Sequence, residues 1–177
     1  DAAIALRKQG VKAADIRHVR AKIAHEVIKT VCEPVANKRR PANEYDAKFS
    51  IPFIVASSLL HGKFGLAELE ESALRDPATL ALADKVDHEA DPASGFPQYY
   101  SGEVIVKLND GRELSHREQV NRGAADRPIS NHDIVAKFMD NAMRAVSRAR
   151  AEELRDALLL MADFAIASDL AGVLAGR

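Results

Sequence analysis

The side chains that could do chemistry are few and unevenly placed. His18, His25, His61, His88, His116 and His132 are scattered without the spacing of a metal-ligand set. Neither a phosphate-binding glycine loop, a zinc-ligand pair nor a nucleophile elbow is present. Cys32, the single cysteine, has no companion motif and reads as a small buried hydrophobe. No catalytic residue, metal or cofactor is therefore assigned to this stretch of chain. The cations are more suggestive. Lys38-Arg39-Arg40 is the dense basic cluster, either a solvated loop or a clamp for carboxylates or phosphates, since a guanidinium presents a bidentate fork. Lys48 is either an exposed first-turn residue whose stem covers apolar surface, or a cation held at the rim of a pocket.

The element that must position Lys48 is the stretch Asp46–Gly62, in which Phe49, Ile51, Phe53, Ile54, Val55, Ala56, Leu59 and Leu60 leave almost no face polar. A helix apolar nearly all round belongs inside a fold. Asp46 or Ser50 can cap it, Pro52 fits a first turn, and Gly62 suits a left-handed C-terminal position. With Ser50 as cap the helix runs from about Ile51 to His61.

Around it the sequence predicts an α+β domain. Asp1–Gln9 reads as a helix ended by Gly10. Asp15–Ile23 alternates, with Val19, Ala21 and Ile23 on one face and His18, Arg20 and Lys22 on the other, as in a half-buried strand. His25–Cys32 fits a strand or a helical turn, and Pro34–Glu44 a loop. Leu66–Leu74 is a short helix. Asp76-Pro77 starts another, with Leu80, Ala83 and Val86 facing inward. Lys85–Glu89 is a short strand, and Asp91–Tyr100 a loop. Gly102–Val120 is a hairpin. A two-residue Asp110-Gly111 connection would oppose Val106 to Ser115, whereas a three-residue loop with Gly111 as the bulge residue opposes Val106 to Leu114 and Val104 to His116. The second register keeps the apolar groups together. Ser130 with Asp133 forms a capping box, and Ile129 with Ile134 a staple, for the next helix. Arg150–Phe164 is an amphipathic helix with Leu154, Leu158, Met161 and Ala165 inward, and Asp169–Leu174 a last short one.

Composition sets the bounds. A chain of 177 residues, 47% hydrophobic and 29% charged, can bury a substantial core. A net charge of −1 gives no general attraction to nucleic acid or acidic membrane, and no apolar run reaches bilayer-spanning length. One cysteine fits a reducing compartment, so a cytoplasmic location is expected. The chain opens at Asp1 inside a helix, which is expected of a fragment.

The run Pro41…Asp46-Ala47-Lys48-Phe49-Ser50-Ile51-Pro52-Phe53-Ile54-Val55-Ala56…Leu60-His61-Gly62 resembles the C-terminal region of the MmgE/PrpD family. Asp76-Pro77 before Leu82-Ala83-Asp84-Lys85-Val86, the Asp110-Gly111 hairpin, Arg127-Pro128-Ile129-Ser130 before Lys137-Phe138, and the opening Asp1-Ala2-Ala3 follow in the family's order. The resemblance implies the second half of a two-domain enzyme. Residues 1–146 would form a smaller α/β lid with a short antiparallel sheet and packed helices. Residues 147–177 would be C-terminal helices returning to an all-helical domain that this chain lacks. The implied chemistry is proton abstraction next to a carboxylate of a small polycarboxylate, followed by loss of water or carbon dioxide, or by reprotonation. A dehydratase of the 2-methylcitrate type is favoured, with decarboxylase or epimerase as the other outcomes. Most catalytic His and Lys of the family lie upstream, so the fragment alone is expected to be inactive. Lys48, Phe53, Arg39 and Arg40 are the candidate substrate-binding residues. At Phe53 the family often has Tyr, and without a hydroxyl this ring cannot donate a hydrogen bond. The expected partners are the substrate, the helical domain and a second copy in a homodimer. A different class of answer is a non-enzymatic module dimerising through Leu154, Leu158, Leu159, Leu160 and Met161.

Overall fold

The structure is a computed structural model and describes residues 1–163 and 167–176. The chain divides into two compact units, Asp1–Arg127 and Pro128–Arg177.

The first unit is built on a four-stranded sheet of order β2-β1-β3-β4. Strand β1 (Ile16–Ile23) follows helix α1 (Ala2–Lys8), and its alternation is realised: Val19 and Ala21 are buried while Arg17 and Arg20 are exposed. A register shift between Ile16 and His18 turns Ile16 into the core as well. The sheet is mixed and not simply antiparallel as expected. β1 pairs in parallel with β2 (Val86–Ala90) and antiparallel with β3 (Gly102–Leu108), which pairs antiparallel with β4 (Glu113–Glu118). A parallel pair needs a long crossover, and all the helices between residues 24 and 85 belong to it. The β3–β4 hairpin takes the bulged three-residue register. Val106 faces Leu114, Val104 faces His116, and Gly111 sits at φ +91°.

The crossover contains more helix than its sequence advertises. His25–Val31 is helix α2, which settles the strand-or-helix ambiguity, and the expected Pro34–Glu44 loop contains helix α3 (Val35–Arg39). Five residues are too few to display an amphipathic period, so α3 owes its form to what its side chains reach. Helix α4 (Glu44–Lys48) starts at Asn43, whose side chain accepts the Asp46 N–H.

Helix α5 (Ile51–His61) is the interior helix. The Ser50 hydroxyl accepts the Phe53 N–H at 3.1 Å, and Gly62 ends the helix at φ +73°. Arg7 Nη1 donates to the Leu59 carbonyl at 3.0 Å, a cation set where the helix dipole is negative. One part of α5, with Val55, Ala56 and Leu59, joins Leu6, Ile16, Val19, Val86 and Val106 in the core against the sheet. Phe53 points elsewhere, into a second cluster with Ala47, Leu69 and Leu74 that Phe64 and Leu80 complete. Leu69 and Leu74 come from the segment expected as one short helix, which is a 3-10 turn (Ala67–Leu69) followed by helix α6 (Glu71–Leu74). Helix α7 (Pro77–Ala83) is capped by Asp76, whose Oδ2 accepts both the Thr79 N–H (2.8 Å) and its hydroxyl (2.6 Å). Ala83 and Val86 are buried as expected. Leu80 turns to the Phe53 cluster, and Leu82 fills the sheet-side core in its place.

The second unit holds helix α8 (Asn131–Ala142), helix α9 (Arg148–Leu159) and helix α10 (Ala167–Leu174). The Ser130 hydroxyl accepts the Asp133 N–H at 3.1 Å, as the capping-box motif predicts, whereas Ile129 and Ile134 are both exposed. Helix α9 begins earlier than expected because Ser147 caps it, and it yields at Leu160 to a 3-10 turn over Met161–Asp163. Leu154 is half-buried, but Leu158 and Met161 are exposed. Phe164 and Ala165 lie outside the described residues.

Candidate functional site

The basic cluster does hold carboxylates, and they are the chain's own. Arg40 grips Asp84 in a two-pronged pair at 2.5 and 2.8 Å. Arg39 reaches Asp87 Oδ1 at 2.6 Å and the Val86 carbonyl at 3.1 Å. Lys38 donates to the Phe49 carbonyl at 2.8 Å, and the Ser50 hydroxyl donates to the Lys38 carbonyl. Helix α3 is thus a strap. It is fastened on one side to the end of α7 and the start of β2, and on the other to the cap of α5. The fork geometry read from the sequence is real. The Arg40 hydrogen bond holds the Asp84 carboxyl below its ordinary value, and the His18 hydrogen bond at 2.9 Å, with Arg39 adding to it, does the same for Asp87. Arg39 Nε is enclosed with no acceptor, the one such side-chain atom found among the described residues. An orphaned buried N–H of this kind costs about 1–3 kcal/mol.

Lys48 is placed differently. Its ammonium meets Glu44 at 3.5 Å along helix α4, both side chains well exposed. Exposed pairs of this type contribute little, so Lys48 is the least committed of the three candidate cations, Arg39, Arg40 and Lys48. Beside it Tyr45 and Phe49 form a tilted aromatic pair, with centroids 5.1 Å apart, over a small hollow that Lys38 also lines. Phe53 lies inside, fully buried and edge-on to Phe64 at 6.3 Å. The four candidates therefore do not converge on one point: Arg39 and Arg40 fasten the strap, Lys48 is at the surface, and Phe53 is in the core.

The larger concavity lies on another face of α5. Ile51, Ile54, Val55 and Ser58, at i, i+3, i+4 and i+7, form one wall of a cleft of about 380 Å³. The opposite wall comes from the ends of β1 and β3 and from the segment after β4, with Lys22, Glu103, Asn121 and Arg122. The α5 helix therefore has two working faces, and Ser58 lies on the cleft face. Sequence reasoning singled out none of Ser58, Lys22, Asn121 or Arg122. The available signal was the i, i+3, i+4, i+7 stripe that carries Ser58 beside the isoleucines.

Three of the histidines are engaged structurally. His18 meets Asp87, His116 meets Glu118 at 3.1 Å, and His61 approaches the Thr79 hydroxyl at 3.4 Å. Burial pushes the Cys32 thiol up to about 12, which leaves it un-ionised at neutral pH. Among the described residues no group of three or more His, Cys, Asp or Glu is arranged to hold a metal ion, and no helix is long and apolar enough to cross a membrane.

Comparison with known proteins identifies the fold's lineage. Mouse cis-aconitate decarboxylase is 26% identical over 99% of this chain and 36% of its own length. Human cis-aconitate decarboxylase is 28% identical over 67% of this chain and 25% of its own. A cis-aconitate decarboxylase-like protein, oryM, of Aspergillus oryzae is 24% identical over 80% of this chain and 30% of its own. The chain thus spans about a third or less of the length of these relatives. The profile of the MmgE/PrpD C-terminal domain matches residues 1–162, nearly the whole chain, and the chain belongs to the MmgE/PrpD family as that C-terminal domain.

Proposed function

We propose that this chain is the smaller-domain part of a lyase acting on a small polycarboxylate. The observation that carries the reading is the alignment of 99% of the chain with a cis-aconitate decarboxylase, within a family match over residues 1–162. Decarboxylation of a cis-aconitate-type acid is accordingly favoured over 2-methylcitrate-type dehydration or epimerisation. These reactions share one demand: a carbanion next to a carboxylate, made by removing a proton or carbon dioxide, must be stabilised and then quenched by protonation or by loss of hydroxide. Fixed cations near the carboxylate oxygens lower that barrier most where water is excluded. In this reading the chain supplies a wall and its cations, while the groups that move protons come from a helical domain elsewhere in the protein. Lys48 is the cation offered at the rim. Arg39 and Arg40 can present a fork to substrate only by exchanging Asp87 or Asp84, so their contribution is to hold the strap. Phe53 supports α5 from behind. A homodimer and a cytoplasmic location belong to the same proposal.

The test is turnover by the full-length protein. With cis-aconitate, carbon dioxide and an unsaturated dicarboxylate should form in equal amounts, and residues 1–177 alone should form neither. A full-length protein that processes neither cis-aconitate nor 2-methylcitrate would overturn the lyase reading. Turnover by the isolated chain would overturn the division of labour.

A further inference from the structure

We propose that the cleft between α5 and the ends of β1 and β3 is a carboxylate-binding subsite, with Ser58, Lys22 and Arg122 holding one carboxylate and Ile51 and Ile54 meeting the adjoining hydrocarbon. This rests on the lyase reading for the identity of the ligand, though not for the existence of the site.

Three observations carry it. First, Ser58 is 3% exposed and lines the cleft, so its hydroxyl is set in the wall by the helix that carries it. A hydroxyl at that place borders open space and can donate to an oxygen that enters it. Second, the charges of the wall are divided unequally. Two of the three acids that line the cleft are neutralised largely from outside it: Glu118 is held by Arg127 and His116, and Glu103 by Arg117 at 3.0 Å, while the third, Asp1, pairs with Arg122 inside it. Neither Arg127, His116 nor Arg117 lines the cleft. The cations that do line it are the loosely held ones. Lys22 Nζ stands 3.2 Å from Glu89 and 4.0 Å from Glu103, and Arg122 Nη2 stands 3.3 Å from the Asp1 carboxylate. Both can turn to an incoming anion without stranding a buried carboxylate. Third, Asn121 uses its Oδ1 to accept the Tyr100 N–H at 3.0 Å, which leaves its amide N–H groups as donors on the same wall. Donors and loosely held cations facing two isoleucines suit an anion with a short hydrocarbon body. A cleft of about 380 Å³ is of the size that takes such a ligand.

The experiment uses the full-length protein with tricarballylate, a tricarboxylate without a double bond, as a calorimetric probe, and cis-aconitate as substrate. Ser58→Ala and Lys22→Gln should each weaken tricarballylate binding and raise KM about tenfold, the factor expected for one lost hydrogen bond to a charged group. Lys107→Gln, at an exposed position of β3 away from the cleft, should change neither. Ser58→Ala should not lower the thermal midpoint, because alanine is the better helix former, so a loss of affinity there is not a loss of fold. Affinity within about twofold of the parent for both variants would overturn the subsite. If the variants weaken tricarballylate binding but no polycarboxylate is turned over, the subsite stands and the lyase reading falls. If turnover proceeds and both variants bind as the parent does, the reading stands and the subsite falls. Neither binding nor turnover would overturn both.

Discussion

Phe53 is the residue at which family resemblance and packing point in different directions, so its substitution is the most informative. Its ring is fully buried, with Ala47, Leu69 and Leu74 around it and Phe64 edge-on at 6.3 Å. Truncation to alanine removes the transfer energy of the ring and leaves a cavity, which together cost about 3–5 kcal/mol. Of this, about 0.5–1.5 kcal/mol is the aromatic pair with Phe64. Phe53→Tyr is the sharper test. The added hydroxyl enters an apolar cluster, and a buried polar group left unpaired costs about 1–3 kcal/mol. Against a total stability of about 5–15 kcal/mol either change is large.

The assay is urea unfolding followed by far-ultraviolet circular dichroism, with Ile54→Ala as the comparison. Ile54 is half-buried and borders the cleft, so its truncation should cost clearly less than that of Phe53. Phe53→Tyr should lower the midpoint without changing the slope. If Phe53→Tyr were as stable as the parent and Phe53→Ala cost under about 1 kcal/mol, well below the range for a closed core site, the ring would not sit in a closed cluster. The argument that it supports α5 from behind would then fail.

Three further outcomes follow from single sites. Asp91, nearly buried, takes two hydrogen bonds from Arg117 at 2.6 and 3.1 Å, and its carboxyl is held below the usual 3.8. Because the folded-state value is depressed, its stabilisation is complete above the unfolded value and is lost as pH falls through the folded one. Asp91→Asn should therefore cost about 1.5–3 kcal/mol at neutral pH and flatten the decline in stability below pH 3.8, as pH-dependent urea titrations would reveal. Gly62→Ala should cost about 1–2 kcal/mol, because φ is +73° and a new Cβ would lie 3.2 Å from Arg7 Cδ; a neutral result by thermal melting would contradict the left-handed cap. Cys32, with its thiol pushed up to about 12, should resist a disulfide reagent at pH 8 in the native state and react fully in denaturant, as thiol stoichiometry would report.

Where the chain announces its structure, the information is local. Ser50, Pro52 and Gly62 mark α5 because each solves a backbone problem at one position, and the same holds for Asp76-Pro77 and for Gly111 in the bulged hairpin. Helix α3 and the parallel β1–β2 pair were illegible for the opposite reason. Nothing within Val35–Arg39 specifies a helix; its form depends on Asp84, Asp87 and Phe49, which are brought to it by the fold. The sense of pairing between β1 and β2 is likewise set by the path of the crossover and leaves no mark in either strand. The candidate site divides in the same way. Charge type identified the Arg39 and Arg40 forks, but only the fold could say which carboxylates would occupy them.

That division bears on how α5 works. A helix apolar nearly all round is expected to be inert filling, yet two of its faces meet different surroundings. On one, Phe53 and the strap residues fix the helix: Lys38 reaches the Phe49 carbonyl, and Ser50 both caps α5 and holds the Lys38 carbonyl. On the other, Ile51, Ile54 and Ser58 border open space. Fixing one face is what allows the other to be useful, because a hydroxyl selects a ligand only if its position is set before the ligand arrives. The own-chain pairs of Arg39 and Arg40 are then part of the same arrangement as Ser58. They fasten the strap whose Lys38 holds the start of α5, about two turns of helix from Ser58. Loosening the strap with Arg39→Gln should accordingly weaken tricarballylate binding to the full-length protein without touching a cleft residue. Recovery of that affinity by Arg39→Lys, which restores the charge but not the fork, would argue that charge and not the position of the strap is what matters.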